Sequence, residues 1–168
     1  MLIGILSDTH DRADTMKLAV AMLKSAGAEF FLHCGDVGGP GVIDQLAGLK
    51  AAFVWGNTDW ERVPLQRYAQ TLGISCYGAM GDLQLDGKRI ALLHGDDSAL
   101  MQKLLNGQQY DYLFHGHTHL RRDERIGKTR VINPGALQRA REKSVAILDL
   151  ATDQLRFFIV GDAARSLQ

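Results

Sequence analysis

The chain has 168 residues, of which 46% are hydrophobic and 23% charged, as in an ordinary soluble globular protein, and one domain spanning 1–168 is expected. Nineteen basic and nineteen acidic residues give a formal net charge of zero, which excludes a general attraction for nucleic acid or anionic membranes but not a local patch. No apolar run approaches the roughly 20 residues of a membrane-spanning helix. The first residues lack signal-peptide features and two cysteines form no disulfide framework, so a cytoplasmic location is expected.

The first half of the sequence alternates predicted strands with predicted helices. Short apolar runs predict strands at residues 2–6, 29–33 and 51–55. Helical spacing and helix-starting or helix-ending residues predict helices at 13–26, from 40 to about 49 and at 64–72. This alternation predicts parallel strands with helices packed on the sheet.

The second half predicts mostly antiparallel pairs. Turn residues mark three hairpins, at Asp86-Gly87, Gly127-Lys128 and Thr152-Asp153. The strands that flank these turns are predicted at 83–85 with 89–94, 120–126 with 129–132, and 145–150 with 155–160. A helix at 98–105 and a strand at 110–114 complete an α/β chain without internal repeats.

Three of the six histidines lie in the segment His115-Gly116-His117-Thr118-His119, directly after the predicted strand at 110–114. Histidines two residues apart at the end of a strand point to the same side of it. Neutral imidazole is the commonest protein ligand for metals, so a metal site is one interpretation. Hydrogen-bonded or surface histidines fit this segment equally well, because the spacing of a zinc finger or a zincin is absent.

Other metal-binding side chains follow other predicted strands. The seven donors at strand ends are Asp8, His10, Asp36, Asn57, His94, His117 and His119. Ligands of open α/β sheets bind beyond the carboxyl ends of the strands, so these side chains are expected to converge. One metal needs about four to six ligands, and seven donors therefore suggest two metals that share a carboxylate. Each residue alone is also typical of a turn, a helix cap or a hydrogen-bonded side chain.

Glycine precedes three of these donors, at Gly35, Gly56 and Gly116. Because glycine adopts backbone conformations that other residues avoid, these positions are expected to let the chain turn sharply toward the site.

Together the motifs resemble those of a known family. The motifs are Asp8-x-His10, Gly35-Asp36, Gly56-Asn57, His94 and Gly116-His117-x-His119, and the family is the calcineurin-like metallophosphoesterase superfamily. The short length, His33-x-Gly35-Asp36 and Ile132-Asn133-Pro134-Gly135 are most similar to its small bacterial and archaeal phosphodiesterase branch, the YfcE/MJ0936-like proteins. The resemblance spans residues 1 to about 150. It implies a single-domain, four-layer α/β/β/α sandwich of two mixed sheets.

The resemblance also implies the site. It assigns four ligands to a first metal, Asp8, His10, Asp36 and His119. Asp36 bridges to a second metal, which is completed by Asn57, His94 and His117. Asn57 and His94 are further expected to contact the phosphate in the transition state, with a metal-bridging hydroxide as nucleophile. The oxygen and imidazole ligands suit manganese, nickel, iron or zinc without choosing among them, and the resemblance implies manganese first.

The implied activity is hydrolysis of a small phosphate ester by a phosphodiesterase. No membrane partner and no clear nucleic-acid surface are expected, and a homo-oligomer stays open. Two other functions also stay open, a catalytically weak or inactive metal-binding interaction scaffold of the same fold and a single structural metal site.

Four residues near the motifs need separate interpretations. Thr58 stands where many members of the superfamily have a histidine that protonates the leaving group, and its hydroxyl cannot be that acid. Asp59 is expected either to hydrogen-bond a ligand such as His10 or to cap a turn or helix. His33 is predicted to be buried and hydrogen-bonded, and His115 to support the site without binding metal.

Overall fold

Two β-sheets lie against each other in the computed structural model, which describes residues 1–161 and 166–167. The strands are β1 (Leu2–Leu6), β2 (Phe30–His33), β3 (Ala51–Phe53), β4 (Ser75–Cys76), β5 (Met80–Leu85), β6 (Lys88–Leu93), β7 (Tyr112–Phe114), β8 (Arg121–Ile126), β9 (Thr129–Pro134), β10 (Ser144–Asp149), β11 (Gln154–Ile159) and β12 (Ser166–Leu167). The helices are α1 (Ala13–Ser25), α2 (Pro40–Asp44), α3 (Arg62–Thr71) and α4 (Ser98–Gly107).

Both sheets mix parallel and antiparallel pairs. The first has the order β12-β11-β10-β1-β2-β3-β4, and β1 through β4 are parallel. The second has the order β5-β6-β7-β9-β8, in which β6, β7 and β9 are parallel. Antiparallel hairpins flank the parallel strands in each sheet. The predicted fold of two mixed sheets is confirmed.

Three hydrophobic layers hold the sheets and helices together. Strand β1 supplies two of them, because Leu6 packs toward α1 while Ile3 and Ile5 face the second sheet. The third layer includes Leu113 and Leu105 and packs the second sheet against α4. Burying a side chain of this kind stabilises the fold by roughly 1.5–3 kcal/mol. The order helix, sheet, sheet, helix is the four-layer sandwich predicted from the resemblance.

Most predicted elements are present, but their bounds differ: β5, β9 and α4 are longer than predicted, whereas α2 and β3 are shorter. Helix α2 stops at Asp44, well before residue 49, because the following amides form turn hydrogen bonds three residues back and Gly48 has a φ of +74°. Strand β3 stops at Phe53, because the Trp55 amide instead donates to the Gly78 carbonyl. The two-residue strand β4 was not predicted, and two residues carry too little pattern to identify one.

The three predicted hairpins are confirmed. In the first, Asp86 and Gly87 both have positive φ, the geometry of a tight two-residue hairpin turn. Within the described part of the chain, no helix combines the length and the apolar character needed to cross a membrane. The domain limits of 1–168 stay a prediction, since residues 162–165 and 168 lie outside that part.

The loops that follow the parallel strands meet at one edge of the sandwich. The Asp8 amide after β1 donates to the Gly35 carbonyl after β2, at 3.1 Å. In the second sheet, the Gly116 amide after β7 donates to the His94 carbonyl after β6, at 2.8 Å. Parallel strands in both sheets therefore deliver their carboxyl ends, and the polar residues there, to a shared crevice.

Candidate metal centre

Asp8 is fully buried and only one of its carboxylate oxygens is hydrogen-bonded. Oδ2 accepts from the Ser7 hydroxyl at 2.6 Å and from the His117 amide at 3.1 Å. Oδ1 lies 3.2 Å from His119 Nε2, but no group in the described residues has the geometry to donate to it. A buried carboxylate oxygen without a donor is costly, so this atom faces a position suited to a cation.

Asp36 lies between two imidazoles. Its Oδ1 accepts from the Thr58 amide at 2.9 Å, and its Oδ2 is 3.7 Å from His10 Nε2 and 3.4 Å from His94 Nε2. His10 Nε2 is buried and has no hydrogen-bond partner among the described residues. One carboxylate oxygen thus faces a histidine that follows β1 and another that follows β6.

His94 is oriented by the chain behind it. Its Nδ1 donates to the Cys34 carbonyl at 2.8 Å, which leaves the lone pair of the neutral ring on Nε2. That nitrogen is 3.0 Å from the amide oxygen Oδ1 of Asn57, which is also 3.1 Å from His117 Nδ1. Two acceptor atoms at 3.0 Å repel each other, and a proton or a cation between them relieves the repulsion.

The electrostatics of these groups favour a bound cation. Burial lowers the pKa of His10, so its ring is neutral, which is the form that binds metal. Burial opposes the ionisation of Asp36, yet the His94 ring and the Thr58 amide outweigh it and hold the pKa of this carboxyl well below its usual range. Burial also opposes protonation of His94, but the neighbouring Asp36 carboxylate raises its pKa overall. The pocket therefore concentrates negative charge at Asp36, which favours a bound cation.

The structure brings all seven predicted ligands to this edge. Ligand atoms within 4.8 Å of one another form two groups that share Asp8, namely Asp8 with His10 and His119, and Asp8 with Asp36 and His94. Asn57 and His117 contact the second group through the Asn57 amide oxygen. Oxygen and imidazole donors with unpaired buried atoms fit divalent metal ions such as manganese or zinc.

The other two histidines lie beside these groups and have different partners. His33 is buried, as predicted, and its Nδ1 accepts from the Gly35 amide at 3.2 Å. Its Nε2 therefore carries the hydrogen and donates to the Thr9 hydroxyl at 2.6 Å. His115 is buried and its Nδ1 donates to the Gly116 carbonyl at 3.1 Å. Neither ring belongs to the two groups of converging ligand atoms.

The backbone of the ligands themselves is strained. Five of them have φ between +45° and +66°, namely Asp8, His10, Asp36, His117 and His119. Residues other than glycine rarely adopt this left-handed conformation, and it is concentrated at functional sites. The side chains are thus held in place by the packing around them, at the cost of local strain.

The glycines before the ligands act differently from the prediction. Only Gly35 has positive φ, at +94°. Gly56 and Gly116 are needed for close approach, because a Cβ on Gly56 would lie 2.2 Å from Asp36 Oδ1 and one on Gly116 would lie 1.8 Å from the Ser7 hydroxyl. The expectation of a sharp glycine turn is wrong at these two positions. After Gly116 the ligand His117 carries the positive φ, whereas neither Gly56 nor Asn57 has one.

Asp59 ties the loops of the site together. Its buried carboxylate accepts from the amides of Val37, Gly38 and Gly56 at 3.2, 2.8 and 2.8 Å. It forms no hydrogen bond with His10 in the described structure, and the residue that precedes α3 is Glu61. The expected bond to His10 and the expected helix cap are therefore wrong, whereas the turn role is confirmed by the bonds between Asp59 and Gly56. The Asp59 carboxylate also reaches the amides of the loop after Asp36, a role that the sequence did not predict.

Sequence reasoning missed Ser7 and undervalued Asn133. The Asn133 side chain is buried and donates to the Gly116 carbonyl at 2.8 Å and to the Thr118 hydroxyl at 3.0 Å. It therefore fixes the loop that carries His117. A signal for Ser7 was present, since a hydroxyl beside Asp8 can reach its carboxylate. The contact of Asn133 depends on strand pairing and has no local signal.

A groove of about 900 Å³ opens beside His119. One wall is the loop after β7, with Thr118 to Arg121, and the other is the loop between β9 and β10. Its lining residues are Thr118, His119, Leu120, Arg121, Arg139, Ala140, Arg141, Glu142 and Ser144. The groove places polar and positively charged side chains next to the converging ligands.

Known proteins are similar to this chain in sequence and in fold. Residues 1–153 match the model of the calcineurin-like phosphoesterase superfamily domain. Phosphodiesterase MJ0936 of Methanocaldococcus jannaschii is 30% identical over 138 residues, which cover 80% of this chain and 83% of that protein.

Solved structures agree with the sequence match. A structure described as a novel archaeal phosphodiesterase has a TM-score of 0.89 at 26% identity, covering 95% of this chain and all of that chain (100%). YfcE, a phosphoesterase from E. coli, shares the fold with a TM-score of 0.65 at 23% identity, covering 92% of this chain and 96% of its own. The chain therefore belongs to the calcineurin-like phosphoesterase superfamily, which confirms the predicted family and the predicted class of enzyme, a metal-dependent phosphoesterase.

Proposed function

We propose that this protein is a dinuclear metal-dependent phosphodiesterase that hydrolyses a small phosphate ester, with Mn²⁺ as the first metal expected. The observation that supports it most is the position of Asp36, whose Oδ2 faces the Nε2 atoms of both His10 and His94. A carboxylate between two such nitrogens is suited to bridge two cations. The buried and unpaired atoms Asp8 Oδ1 and His10 Nε2 add to this support.

The seven donors would divide between two ions. The first ion would be held by Asp8, His10, Asp36 and His119, and the second by Asp36, Asn57, His94 and His117. When bound, two divalent ions supply a water of lowered pKa as nucleophile and offset the negative charge that develops on the phosphoryl oxygens.

The chain itself positions these donors before substrate arrives. The Cys34 carbonyl fixes the tautomer of His94 so that Nε2 faces the site, and the Thr58 amide orients Asp36. Asn57 and His117 are exposed, whereas Asp8 and Asp36 are buried. The phosphate ester would thus approach from the side of Asn57 and His117, and Asn57 and His94 would contact its oxygens.

Thr58 limits the range of good substrates. Its hydroxyl lies 3.4 Å from His10 Nδ1 and has far too high a pKa to protonate a departing alkoxide. Without a general acid at that position, the rate should depend strongly on the acidity of the leaving alcohol. Esters with activated leaving groups are therefore expected to react fastest.

The direct test is hydrolysis of bis-p-nitrophenyl phosphate by protein loaded with Mn²⁺. We expect turnover that EDTA abolishes, that added Mn²⁺ restores, and that Asp36→Asn reduces by about a thousandfold. Asp44→Asn is the matched control, because Asp44 is exposed and its carboxylate accepts a hydrogen bond from the Tyr68 hydroxyl, away from the candidate ligands. Its activity should equal that of the wild type.

Other outcomes would contradict the proposal. Two bound equivalents of metal without hydrolysis of any phosphomonoester or phosphodiester would favour the interaction scaffold. One tightly bound equivalent, whose removal unfolds the protein, would favour a single structural metal.

A further inference from the structure

The groove beside His119 carries an excess of positive charge. Three arginines and one glutamate line it, which gives a formal charge of +2, whereas the whole chain has a formal charge of zero. Arg121 is paired with Glu142 across the groove at 2.9 Å. Arg139 and Arg141 have no carboxylate within ion-pair distance in the described part of the chain. Two guanidinium groups are therefore left to attract an anion from solvent.

His119 connects this groove to the metal centre. Its Nε2 lies 3.2 Å from Asp8 Oδ1, inside the centre, and its Nδ1 donates to the Arg139 carbonyl at 3.3 Å, on the groove wall. The metal centre and the groove are thus separated by the width of the His119 ring. Arg139 itself has a φ of +56°, a left-handed conformation that only a defined local structure maintains. A molecule whose phosphate occupies the metal centre can extend directly into the groove.

We infer that the groove binds a second phosphate group of the substrate, so that the preferred ester carries a phosphomonoester beyond the scissile bond. This inference rests on the proposed function, since it names the substrate class of the same site. A phosphomonoester has a charge of −1.5 to −2 near pH 7, whereas a carboxylate has a charge of only −1. The phosphomonoester therefore balances the charge of two unpaired guanidinium groups better than a carboxylate would. One planar guanidinium group can also donate two hydrogen bonds to two oxygens of the same phosphate.

The size of the groove agrees with a ligand of this class. Its volume of about 900 Å³ is at the upper end of the range typical of sites for small molecules. The exposed side chain of Leu120, of which 71% is accessible, adds an apolar surface at the same groove. A nucleotide-sized ester with a second phosphate fits both features.

The test compares two esters that differ by one phosphate. They are the p-nitrophenyl ester of thymidine 5′-phosphate and the same ester with an additional 3′-phosphate. We expect the wild type to prefer the second ester by about tenfold in kcat/KM, because a hydrogen bond to a charged group contributes about that factor. The double variant Arg139→Gln/Arg141→Gln should lose this preference. Arg156→Gln, which removes one positive charge from β11 outside the groove, should keep it.

A binding measurement separates the groove from the chemistry. Calorimetric titration of the Mn²⁺-loaded protein with thymidine 3′,5′-diphosphate should show tighter binding than with thymidine 5′-phosphate, and the double variant should lose this difference. Equal kcat/KM for the two p-nitrophenyl esters, or a preference that survives the double substitution, would overturn the inference. An equal preference for a 3′-succinyl ester would overturn the assignment to phosphate.

The proposed function has its own, separate readout. If bis-p-nitrophenyl phosphate is not hydrolysed by the Mn²⁺-loaded wild type, the phosphodiesterase proposal fails. The titration with thymidine 3′,5′-diphosphate still decides whether the two groove arginines bind a second phosphate.

Discussion

The two sheets contribute different halves of the candidate centre. The first sheet supplies His10, Asn57 and both carboxylates of the centre. These carboxylates, Asp8 and Asp36, are 0% and 3% exposed and accept hydrogen bonds from the surrounding loops. The second sheet supplies histidines, of which His94 is buried while His117 is exposed and His119 is partly exposed. Buried negative charge needs a compensating cation, whereas exposed imidazoles do not. The carboxylate half should therefore dominate metal retention, and the histidine half should adjust affinity and substrate access.

The largest expected effect is on the carboxylate half. Asp8→Asn keeps the shape of the side chain and can keep its contacts to Ser7 and His117, but it removes the charge that faces the cation. We expect kcat/KM for bis-p-nitrophenyl phosphate to fall about a thousandfold, because metal catalysis supplies several kcal/mol. Elemental analysis after dialysis should show metal lost from the variant. If Asp8→Asn keeps its full metal content and its turnover stays within tenfold of the wild type, the carboxylates do not dominate metal retention.

A smaller effect is expected from the histidine half. His117→Ala removes an exposed imidazole that contacts the Asn57 amide oxygen and the edge of the His94 ring, so Mn²⁺ affinity should fall by about 10- to 100-fold without loss of the fold. Calorimetric titration of the metal-free protein measures this change. His115→Gln is the matched control from the same segment. If Mn²⁺ affinity falls as much in His115→Gln as in His117→Ala, the loss comes from disturbing the segment and not from removing the His117 ring.

The smallest effect concerns stability below neutral pH. Burial lowers the pKa of His33 from its ordinary value of 6.5 to about 3, so the unfolded chain takes up a proton there before the folded protein does. The free energy of unfolding should therefore fall as the pH drops from about 6.5 toward 3. At 1.36 kcal/mol per pH unit, this group contributes a loss of about 2 kcal/mol between pH 6.5 and 5.

Urea unfolding at several pH values tests this loss. Other carboxylates also titrate in acid, so the informative quantity is the difference between the wild type and His33→Gln, whose side chain does not titrate. The variant should be less stable at pH 7, because the bonds to Thr9 and Gly35 change, but its stability should depend less on pH. Parallel pH curves for the two proteins would show that His33 titrates normally.

Local sequence patterns predicted much of the fold for a physical reason. Alternation of apolar runs with helical spacing fixes parallel strands, and turn dipeptides such as Asp86-Gly87 adopt a geometry that other residues avoid. The end of α2 was predicted wrongly. The turns after it have amides that bond three residues back, and an α-helix bonds four residues back, so the two have similar sequence patterns. The strand β4 was missed because two residues carry too little signal.

The sequence by itself determined which residues are chemically able to hold metal, since donor type and position at strand ends can be read locally. Asp8, Asp36 and His94 were predicted as ligands in this way, whereas Thr58 was recognised as an unsuitable acid only through the resemblance to the family. Only the tertiary structure decided how they are held. The contacts of Asp59 and Asn133 with other loops, and the close approach at Gly56 and Gly116, join residues distant in the chain. Such contacts follow from sheet pairing and packing, for which no local pattern exists.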